Sequence, residues 1–253
     1  MTVKTVTQKN GDRISGAHGH VYFFDGFHYP SVTTIIHKIE PEPYALTRWK
    51  QTFVHRDFAS PEEYSTYASV RGTFVHYAIL NKLSPVPLDG SDLPKMSVWR
   101  QWQDKIIAEV HHAKMLWAEL GLEIVPPLYV ETPLCHHGLW YAGTPDVLAR
   151  VKYDGETCMT LIDLKTSKRP YASHYRQIGA YAQMINEHFA RANGGLLVER
   201  GMLVYLSSEM KKALVEVVYK LDIEEEIDAF NVQRDKFYAT PGIIDEYGLV
   251  VPQ

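Results

Sequence analysis

The chain has 253 residues, 45% of them hydrophobic, so it is long enough to bury a substantial core, and we expect one domain. Its net charge of -4, with histidines neutral, argues against a protein that coats nucleic acid through bulk positive charge, although a local basic groove is compatible with it. Two isolated cysteines, Cys135 and Cys158, supply neither a disulfide framework nor the ligands of a zinc ribbon or an iron–sulfur cluster. This cysteine usage favours a reducing compartment.

Neither a secretion signal nor a membrane span is predicted. The segment MTVKTVTQKNGDRISG has no apolar run typical of such a signal. No window of the chain is long and apolar enough to cross a bilayer. We therefore expect a soluble, cytoplasmic protein with no membrane partner.

The first third of the chain predicts a hairpin followed by helices. The aromatic-rich arms of HVYFFDGFHY flank Asp25-Gly26, which indicates a tight turn. Ser31 or Thr33 could cap a short helix in PSVTTIIHKIE and form a small anion pocket there, although a plain cap is the simpler interpretation. Two further helix starts are marked by proline: Pro43, opening PYALTRWKQTFVHRD, and Ser60-Pro61, opening a helix to about Leu83.

The remaining elements predict an α/β fold with a mixed central sheet flanked by helices and an N-terminal helical extension. We expect an N-terminal hairpin and helical part over residues 1–120 and a sheet core over residues 121–240. The expected elements are a helix from about Ser97 to Leu120 closed by Gly121, three strands between Leu122 and Lys165 with turns at His136 to Gly138 and at Asp154-Gly155, a helix from Tyr171 to Asn193 ended by Gly194-Gly195, strands from Leu196 to Leu206 and from Ala213 to Leu221, and a helix capped by Asp222 to about Tyr238.

Two aspartates fall in this strand region at positions that a two-residue turn would pair. If Asp154-Gly155 forms the turn, Asp146 faces Asp163 with Cβ atoms about 5 Å apart, where like charges destabilise a sheet unless a cation lies between them. Lys165 would lie on the same face, about 7 Å further along the strand. Hard carboxylate oxygens suit Mg²⁺ or Mn²⁺ better than zinc, and the ammonium could orient a water and stabilise charge on a phosphate. The alternatives are a structural Asp–Lys pair, and a bulge that shifts the register.

The same residues carry a resemblance to a known family. GTPD at 143 to 146 and DLK at 163 to 165 resemble the signature of the PD-(D/E)XK nuclease superfamily, and the blocks around them resemble its RecB-like exonuclease branch. In chain order the blocks are Arg71-Gly72-Thr73 with His76, Glu131, Gly143 to Asp146, Asp163 with Lys165, and Gln177 with Tyr181. YPSVTTII, from Tyr29 to Ile36, is similar to the opening of phage-type exonucleases; a phage-encoded protein would act in the host cytoplasm.

The resemblance implies a role for each matching residue. His76, Asp146 and Asp163 would bind the metal, and the main-chain carbonyl of Leu164 would add a ligand. Lys165 would act on the attacking water, and Glu131 would assist this metal or a second one.

The chain pattern also suggests where two of these blocks lie. Glu131 is expected in a strand opposite roughly Ala142 to Thr144 and close to Asp146. Gln177 and Tyr181 share one helical face and would reach toward the metal and the DNA strand.

Further residues are candidates for DNA contacts or for the core. The DNA-contact candidates are Arg71, Thr73, Tyr181, Lys168, Arg169, Ser31 and Thr33. Four of the five tryptophans sit at helical spacing and are expected in the core: Trp49, Trp99, Trp102 and Trp117. The pairs His111-His112 and His136-His137 lack the further ligands that a zinc site needs.

The resemblance implies a metal-dependent DNA exonuclease that acts on free DNA ends in recombination, repair or replication processing. Its cofactor would be Mg²⁺, with Mn²⁺ able to substitute, and without an iron–sulfur cluster. The chain has no P-loop, so the nuclease is not fused to a helicase motor; a helicase or a single-strand annealing protein could act in trans, and a homo-oligomer is compatible with the family. The alternatives are an endonuclease on the same core and a DNA-binding protein that does not cleave.

Overall fold

The structure is a computed structural model that describes residues 11–16, 19–41, 44–91, 93–193 and 197–249. The strands are β1 (Arg13–Gly16), β2 (Gly19–Phe24), β3 (Phe27–Pro30), β4 (Glu123–Val130), β5 (Leu134–His136), β6 (Tyr141–Gly143), β7 (Val147–Tyr153), β8 (Glu156–Lys165), β9 (Arg200–Tyr205) and β10 (Leu214–Tyr219). The helices are α1 (Val32–Ile39), α2 (Tyr44–Gln51), α3 (Pro61–Leu83), α4 (Met96–Trp99), α5 (Gln103–Glu119), α6 (Ala172–Asn193), α7 (Lys220–Ala239) and α8 (Ile243–Tyr247), with a 3₁₀ turn over Arg100–Trp102.

A mixed sheet lies at the centre of the fold, with strand order β10-β9-β8-β7-β4. Strands β8 and β9 run parallel, and the other neighbouring pairs run antiparallel. Helices cover both faces, so the predicted α/β class with a mixed, helix-flanked sheet is confirmed. None of the helices within the described residues is long and apolar enough to span a membrane.

The two faces of the sheet form separate cores because successive side chains of a strand point to opposite sides. Leu161 of β8 belongs to the core that α1, α6 and α7 cover. Ile162 and Leu164 belong to the other core, which α3 and α5 cover. Alternation therefore directs Asp163 and Lys165 toward the α6 face, at the carboxyl end of β8.

The N-terminal part adds a small sheet and an aromatic helical layer. Strands β1, β2 and β3 form an antiparallel sheet beside the central one. Helix α1 follows directly, capped by Ser31, whose Oγ accepts a hydrogen bond from the Thr34 N–H at 2.9 Å. Between α3 and α5, aromatic side chains such as Phe58, Tyr67 and Trp102 pack into a third cluster.

Three local predictions are confirmed in detail. Asp25 and Gly26 both have positive φ, +50° and +88°, and close the β2–β3 hairpin as a two-residue turn. Ser60 caps α3, with Pro61 as its first residue. Asp154-Gly155, with φ of +51° and +81°, joins β7 to β8 in the predicted register without a bulge.

The prediction of one continuous helix from Ser97 to Leu120 is wrong, because the 3₁₀ turn over Arg100–Trp102 separates α4 from α5. The tighter turn accompanies the burial of Trp102, whose ring lies 5.6 Å from that of Tyr67. Pro43 and Gly194-Gly195, expected to begin and end helices, lie outside the described residues.

The prediction of three strands between Leu122 and Lys165 is also wrong, since five are present. Pro133 and Pro145 lack the N–H that a ladder requires, and they stand where the two long strands are interrupted. Short β5 pairs with β6, Leu134 opposite Gly143, so Glu131 is not opposite Ala142 to Thr144. Glu131 follows β4 with a left-handed φ of +47°, and its N–H donates to the Asp146 carbonyl at 3.0 Å.

The last elements begin and end within a few residues of their predicted bounds. Strand β9 is shorter than expected and starts at Arg200. Asp222 is not the cap of the final helix, because α7 begins at Lys220 and the Asp222 Oδ2 accepts from the Tyr219 N–H at 3.2 Å. Its role is still to satisfy a free N–H at the start of the helix.

Candidate metal centre

The candidate site lies where β8 ends and β7 begins. The β7–β8 ladder pairs Val147 with Ile162, so continuing it by one residue sets Asp146 beside Asp163. Asp146 itself lies outside the ladder, after Pro145, and its Oδ2 accepts from the Leu164 N–H at 2.7 Å. The N–H and carbonyl of one residue in an extended strand point to the same side, so the Leu164 carbonyl is also directed toward Asp146.

Three possible ligands converge there from three different elements. His76 comes from α3, Glu131 from the bend after β4, and Asp146 from the segment before β7. One ligand atom from each lies within 4.8 Å of the others, and the His76 Nδ1 is 3.5 Å from the Asp146 Oδ1. A ring nitrogen with two carboxylate oxygens can hold a divalent cation.

Asp163 lies beside this group and belongs to a second set of contacts. Its Oδ2 is buried and forms an ion pair with the Lys165 Nζ at 2.5 Å. Lys165 donates to the Gln177 Oε1 at 2.7 Å, and the Gln177 Nε2 donates to the Tyr181 hydroxyl at 3.1 Å. The predicted Gln177/Tyr181 face of α6 therefore does reach the acidic site. A buried carboxylate beside three possible ligands fits a cation site.

The electrostatics of the site are those of crowded, buried acids. Burial, together with the carboxylate of Asp146, raises the pKa of Glu131 to about 7. Burial also raises the pKa of Asp163 to about 6, against the lowering effect of Lys165. The pKa of Asp146 is lowered, because His76 and Lys165 outweigh the effect of its burial. A cation between these groups would relieve the repulsion that raises the first two values.

Tyr181 is placed by a close contact with the GTPD segment. It is 5% exposed, and its ring packs on Gly143, where an added Cβ would lie 2.5 Å from the ring. Only glycine leaves room for this contact. The first residue of GTPD therefore serves to seat Tyr181 against the strand that leads to Asp146.

Arg71 joins α3 to the end of β8, and its phosphate contact stays a prediction. Its Nη2 donates to the Thr166 carbonyl at 3.1 Å, and its Nη1 is 3.4 Å from the Glu109 Oε2. The Arg71 side chain is only 11% exposed. Gly72 lies against Thr166: a Cβ added to Gly72 would be 3.4 Å from the Thr166 Oγ1, so the helix approaches the strand closely. These contacts hold the helix that carries His76.

The other predicted DNA contacts are distributed differently. Ser31 is buried and its hydroxyl caps α1, with Thr33 next to it at 3.0 Å between hydroxyl oxygens. Lys168 is exposed and forms an ion pair with Glu209, and Arg169 is exposed. Thr73 lines a cleft beside the metal centre.

That cleft contains residues that the sequence pattern did not single out. It has a volume of about 870 Å³ and lies between the β1–β2–β3 sheet and α3, with His76 and Glu131 among its lining residues. Tyr22 of β2 lines it and shares a hydrogen bond with Thr144, 2.9 Å between hydroxyl oxygens. The alternation of side chains along HVYFF could have indicated that Tyr22 points to the inner face of its strand. No local pattern indicated which other segment that face would contact.

His174 is a second group that the sequence did not reveal. It lies one turn before Gln177 on α6, and its Nδ1 is 3.0 Å from the Tyr205 hydroxyl. Tyr205 is the β9 partner of Lys165. Burial, with the Lys165 ammonium nearby, lowers the pKa of His174 to about 3, so it is neutral at physiological pH.

His112, His136 and four of the tryptophans have structural contacts. His112 is 2.8 Å from the Met210 carbonyl, and His136 is 2.9 Å from Glu187. The tryptophans pack as predicted: Trp102 is buried, Trp99 and Trp117 are partly buried against core clusters, and Trp49 contacts Phe53.

Comparisons with known proteins add little to this geometry. No family model and no curated protein matches the chain. One solved structure, "Crystal structure of SSO0001", is 13% identical, with 63% of this chain and 84% of that chain covered and a TM-score of 0.27. A TM-score this low carries no argument about fold or function, so the proposals below rest on the site itself.

Proposed function

We propose that the protein is a metal-dependent DNA exonuclease with a PD-(D/E)XK-like core. One observation carries this proposal: three side chains from separate elements, His76, Glu131 and Asp146, lie close together. They lie beside the ion pair of Asp163 and Lys165. A purely structural Asp–Lys pair would not require two further acids next to it, because each additional buried carboxylate costs stability. The motif order described above supplies the link to nucleases.

The donor set fits Mg²⁺ or Mn²⁺. His76, Glu131 and Asp146 would hold the ion, and Asp163 and the Leu164 carbonyl would be further ligands. When bound, such an ion polarises a water and neutralises charge on the phosphate. Zinc is less favoured because the ligands include one nitrogen and no sulfur.

We assign Lys165 the role of acting on the attacking water. Its Nζ is held between the Asp163 carboxylate and the Gln177 Oε1, which fixes the ammonium beside the acids. In the reaction the water oxygen forms a bond to phosphorus, and the bond from phosphorus to the 3′-oxygen breaks. The water proton leaves to solvent or to a neighbouring base, and the 3′-oxygen takes up a proton. The ammonium stabilises the developing negative charge.

The test is digestion of end-labelled linear DNA with Mg²⁺, with Mn²⁺ and with chelator. We expect cleavage with either metal and none with chelator, and loss of cleavage in Asp163→Ala and Lys165→Ala with the fold retained by circular dichroism. Lys152→Ala, an exposed lysine near the turn end of β7, is the matched control and should cleave normally. Full activity in the purified Asp163 or Lys165 variant would refute the assignment.

Exonuclease and endonuclease action are separated by one further substrate. An exonuclease requires an end, so covalently closed circular DNA should stay intact under conditions that degrade the same molecule after linearisation. Cutting of the circle would favour an endonuclease on this core. Binding of DNA without cleavage in Mn²⁺ would favour a non-cleaving DNA-binding protein.

A further inference from the structure

Two loops meet at the edge of the central sheet where β8 and β9 end. Since β8 and β9 run parallel, the segment 166–171 that follows β8 and the segment 207–213 that follows β9 leave the sheet at the same edge. Lys168 of the first segment forms an ion pair with Glu209 of the second. Lys165, the last residue of β8, directly precedes the first segment. We call these two segments the basic edge, and it adjoins the Lys165 side of the candidate metal centre.

The basic edge is positively charged in a chain that is negative overall. It contains one acid, Glu209, and four cations: Lys168, Arg169, Lys211 and Lys212. The net charge of the chain is -4. Glu209 is paired with Lys168, whereas the other three cations are exposed and have no ion pair within the described residues. Exposed cations gathered beside a group of acids give this edge a local affinity for a polyanion.

Tyr171 follows these cations in the chain, and a series of contacts leads from it to Lys165. Tyr171 is 52% exposed, and its ring meets the His174 ring edge to face, with 5.3 Å between the ring centroids and 88° between the planes. The His174 Nδ1 is 3.0 Å from the Tyr205 hydroxyl, and Tyr205 is the β9 partner of Lys165. The Tyr171 ring is therefore held next to the site, with half of its surface open to solvent.

An exposed aromatic ring beside cations has the two properties that a DNA strand requires of its binding surface. The ring can stack on the face of any base, and the cations can neutralise phosphates of the same strand. Tyr205, two contacts closer to Lys165, is fully buried and can do neither. Leaving the Tyr171 ring uncovered forgoes the hydrophobic stabilisation that its burial would give, which is consistent with a binding role.

Resting on the proposed nuclease function, we propose that the basic edge binds the DNA strand next to the scissile bond, with one base stacked on Tyr171 and phosphates on Arg169, Lys211 and Lys212. The metal centre then holds the scissile phosphate, and the basic edge sets the path of the strand beside it. A base stacked on one aromatic side chain contributes about tenfold to affinity.

The first experiment changes the ring and measures kcat and KM on end-labelled DNA with Mg²⁺. We expect Tyr171→Ala to raise KM about tenfold, Tyr171→Phe to match the wild type, and Mn²⁺ to raise the Tm of both as it does for the wild type. Tyr219→Ala is the matched control, because Tyr219 is 64% exposed and pairs with Arg200 at the opposite end of the sheet. An unchanged KM in Tyr171→Ala, or an equal loss in Tyr171→Phe, would overturn the proposal.

The second experiment keeps the wild-type protein and removes the base instead. A single abasic nucleotide is moved stepwise along the labelled strand, and kcat/KM is measured at each position. We expect one position near the scissile bond where the missing base lowers kcat/KM about tenfold in the wild type but not in Tyr171→Ala, because the stacking partner is already lost. Equal losses in the two proteins at every position would overturn the stacking assignment.

The third experiment tests the cations through salt. In Lys211→Gln/Lys212→Gln, we expect the slope of log kcat/KM against log salt concentration to become shallower by about 1 to 2. Lys152→Gln/Lys220→Gln removes two exposed lysines at the opposite edge of the sheet and should leave the slope unchanged. Equal slopes in the two double variants would overturn the phosphate contacts. No DNA cleavage by the wild type with either metal would instead refute the nuclease function.

Discussion

A carboxylate at position 131 should cost stability in the metal-free protein. Glu131 is largely buried beside Asp146, and its pKa is raised from 4.5 to about 7. A raised pKa means that the folded state favours the neutral form of Glu131. The contribution of this residue to the free energy of unfolding is therefore fully present below pH 4.5 and is lost as the pH rises through 7. The difference between the two pKa values corresponds to about 3 kcal/mol of the free energy of unfolding at pH 8.

Glu131→Gln keeps the shape of the side chain but cannot ionise. In chelator at pH 8 we expect this variant to be more stable than the wild type by about 2–3 kcal/mol, and at pH 5 by less than about 1 kcal/mol. The measurement is urea unfolding at both pH values. Glu123→Gln is the matched control, because Glu123 is 61% exposed at the start of β4 and pairs only with exposed Lys152 among the ion pairs described. Its effect should stay within about 0.5 kcal/mol at both pH values.

Metal ions should reverse the order of stability. Binding requires deprotonated ligands, so Mn²⁺ should stabilise the wild type more at pH 8 than at pH 5. The Glu131→Gln protein lacks the negative charge of one metal ligand, so Mn²⁺ should stabilise it much less at either pH. The reasoning is refuted if this variant is less stable than the wild type at pH 8 in chelator, or if Mn²⁺ stabilises both proteins equally.

Three further predictions concern positions around the site. Arg71→Met should destabilise the protein by about 1–3 kcal/mol in urea unfolding, because it leaves buried acceptors unpaired. It should also weaken Mn²⁺ binding in calorimetric titration, because it releases the helix that carries His76. An unchanged Mn²⁺ affinity would contradict this. Lys165→Met should abolish DNA cleavage while Mn²⁺ still raises the Tm; loss of Mn²⁺ stabilisation would show that the lysine acts through metal binding instead. Gly179→Ala should lower the free energy of unfolding by about 1–3 kcal/mol, since its Cβ would lie 2.6 Å from the backbone of α7. Gly138→Ala is the control, because its Cβ would lie 3.8 Å from the nearest atom, and it should be nearly neutral in the same unfolding assay.

The parts of the fold that the sequence predicts well are those decided within a few residues. Asp25-Gly26 and Asp154-Gly155 adopt the left-handed conformations that such pairs favour, whatever surrounds them. Ser60-Pro61 begins α3 because the cap and the proline both act within the first helical turn. The turn at Asp154-Gly155 also fixes the β7–β8 register, and that register is what brings Asp146 beside Asp163.

The predictions that fail depend on what distant segments do. The left-handed conformation of Glu131 accompanies its hydrogen bond to the Asp146 carbonyl, and no pattern near position 131 indicates it. The 3₁₀ turn before α5 accompanies the burial of Trp102 against α3. Periodicity detects which residues are apolar but not which element will cover them.

Arg71 shows why residue type alone does not assign a role in such a site. An arginine beside a nuclease-like motif suggests a phosphate contact, yet its guanidinium is enclosed by Glu109 and the Thr166 carbonyl. Two of its nitrogens, Nη1 and Nη2, therefore hold α3 close to the end of β8. Because His76 lies on α3, we expect this distance to affect whether His76 reaches Asp146, so Arg71 can influence metal binding through the position of the helix. The Mn²⁺ affinity of Arg71→Met measures this effect directly, because a lost phosphate contact would leave metal affinity unchanged.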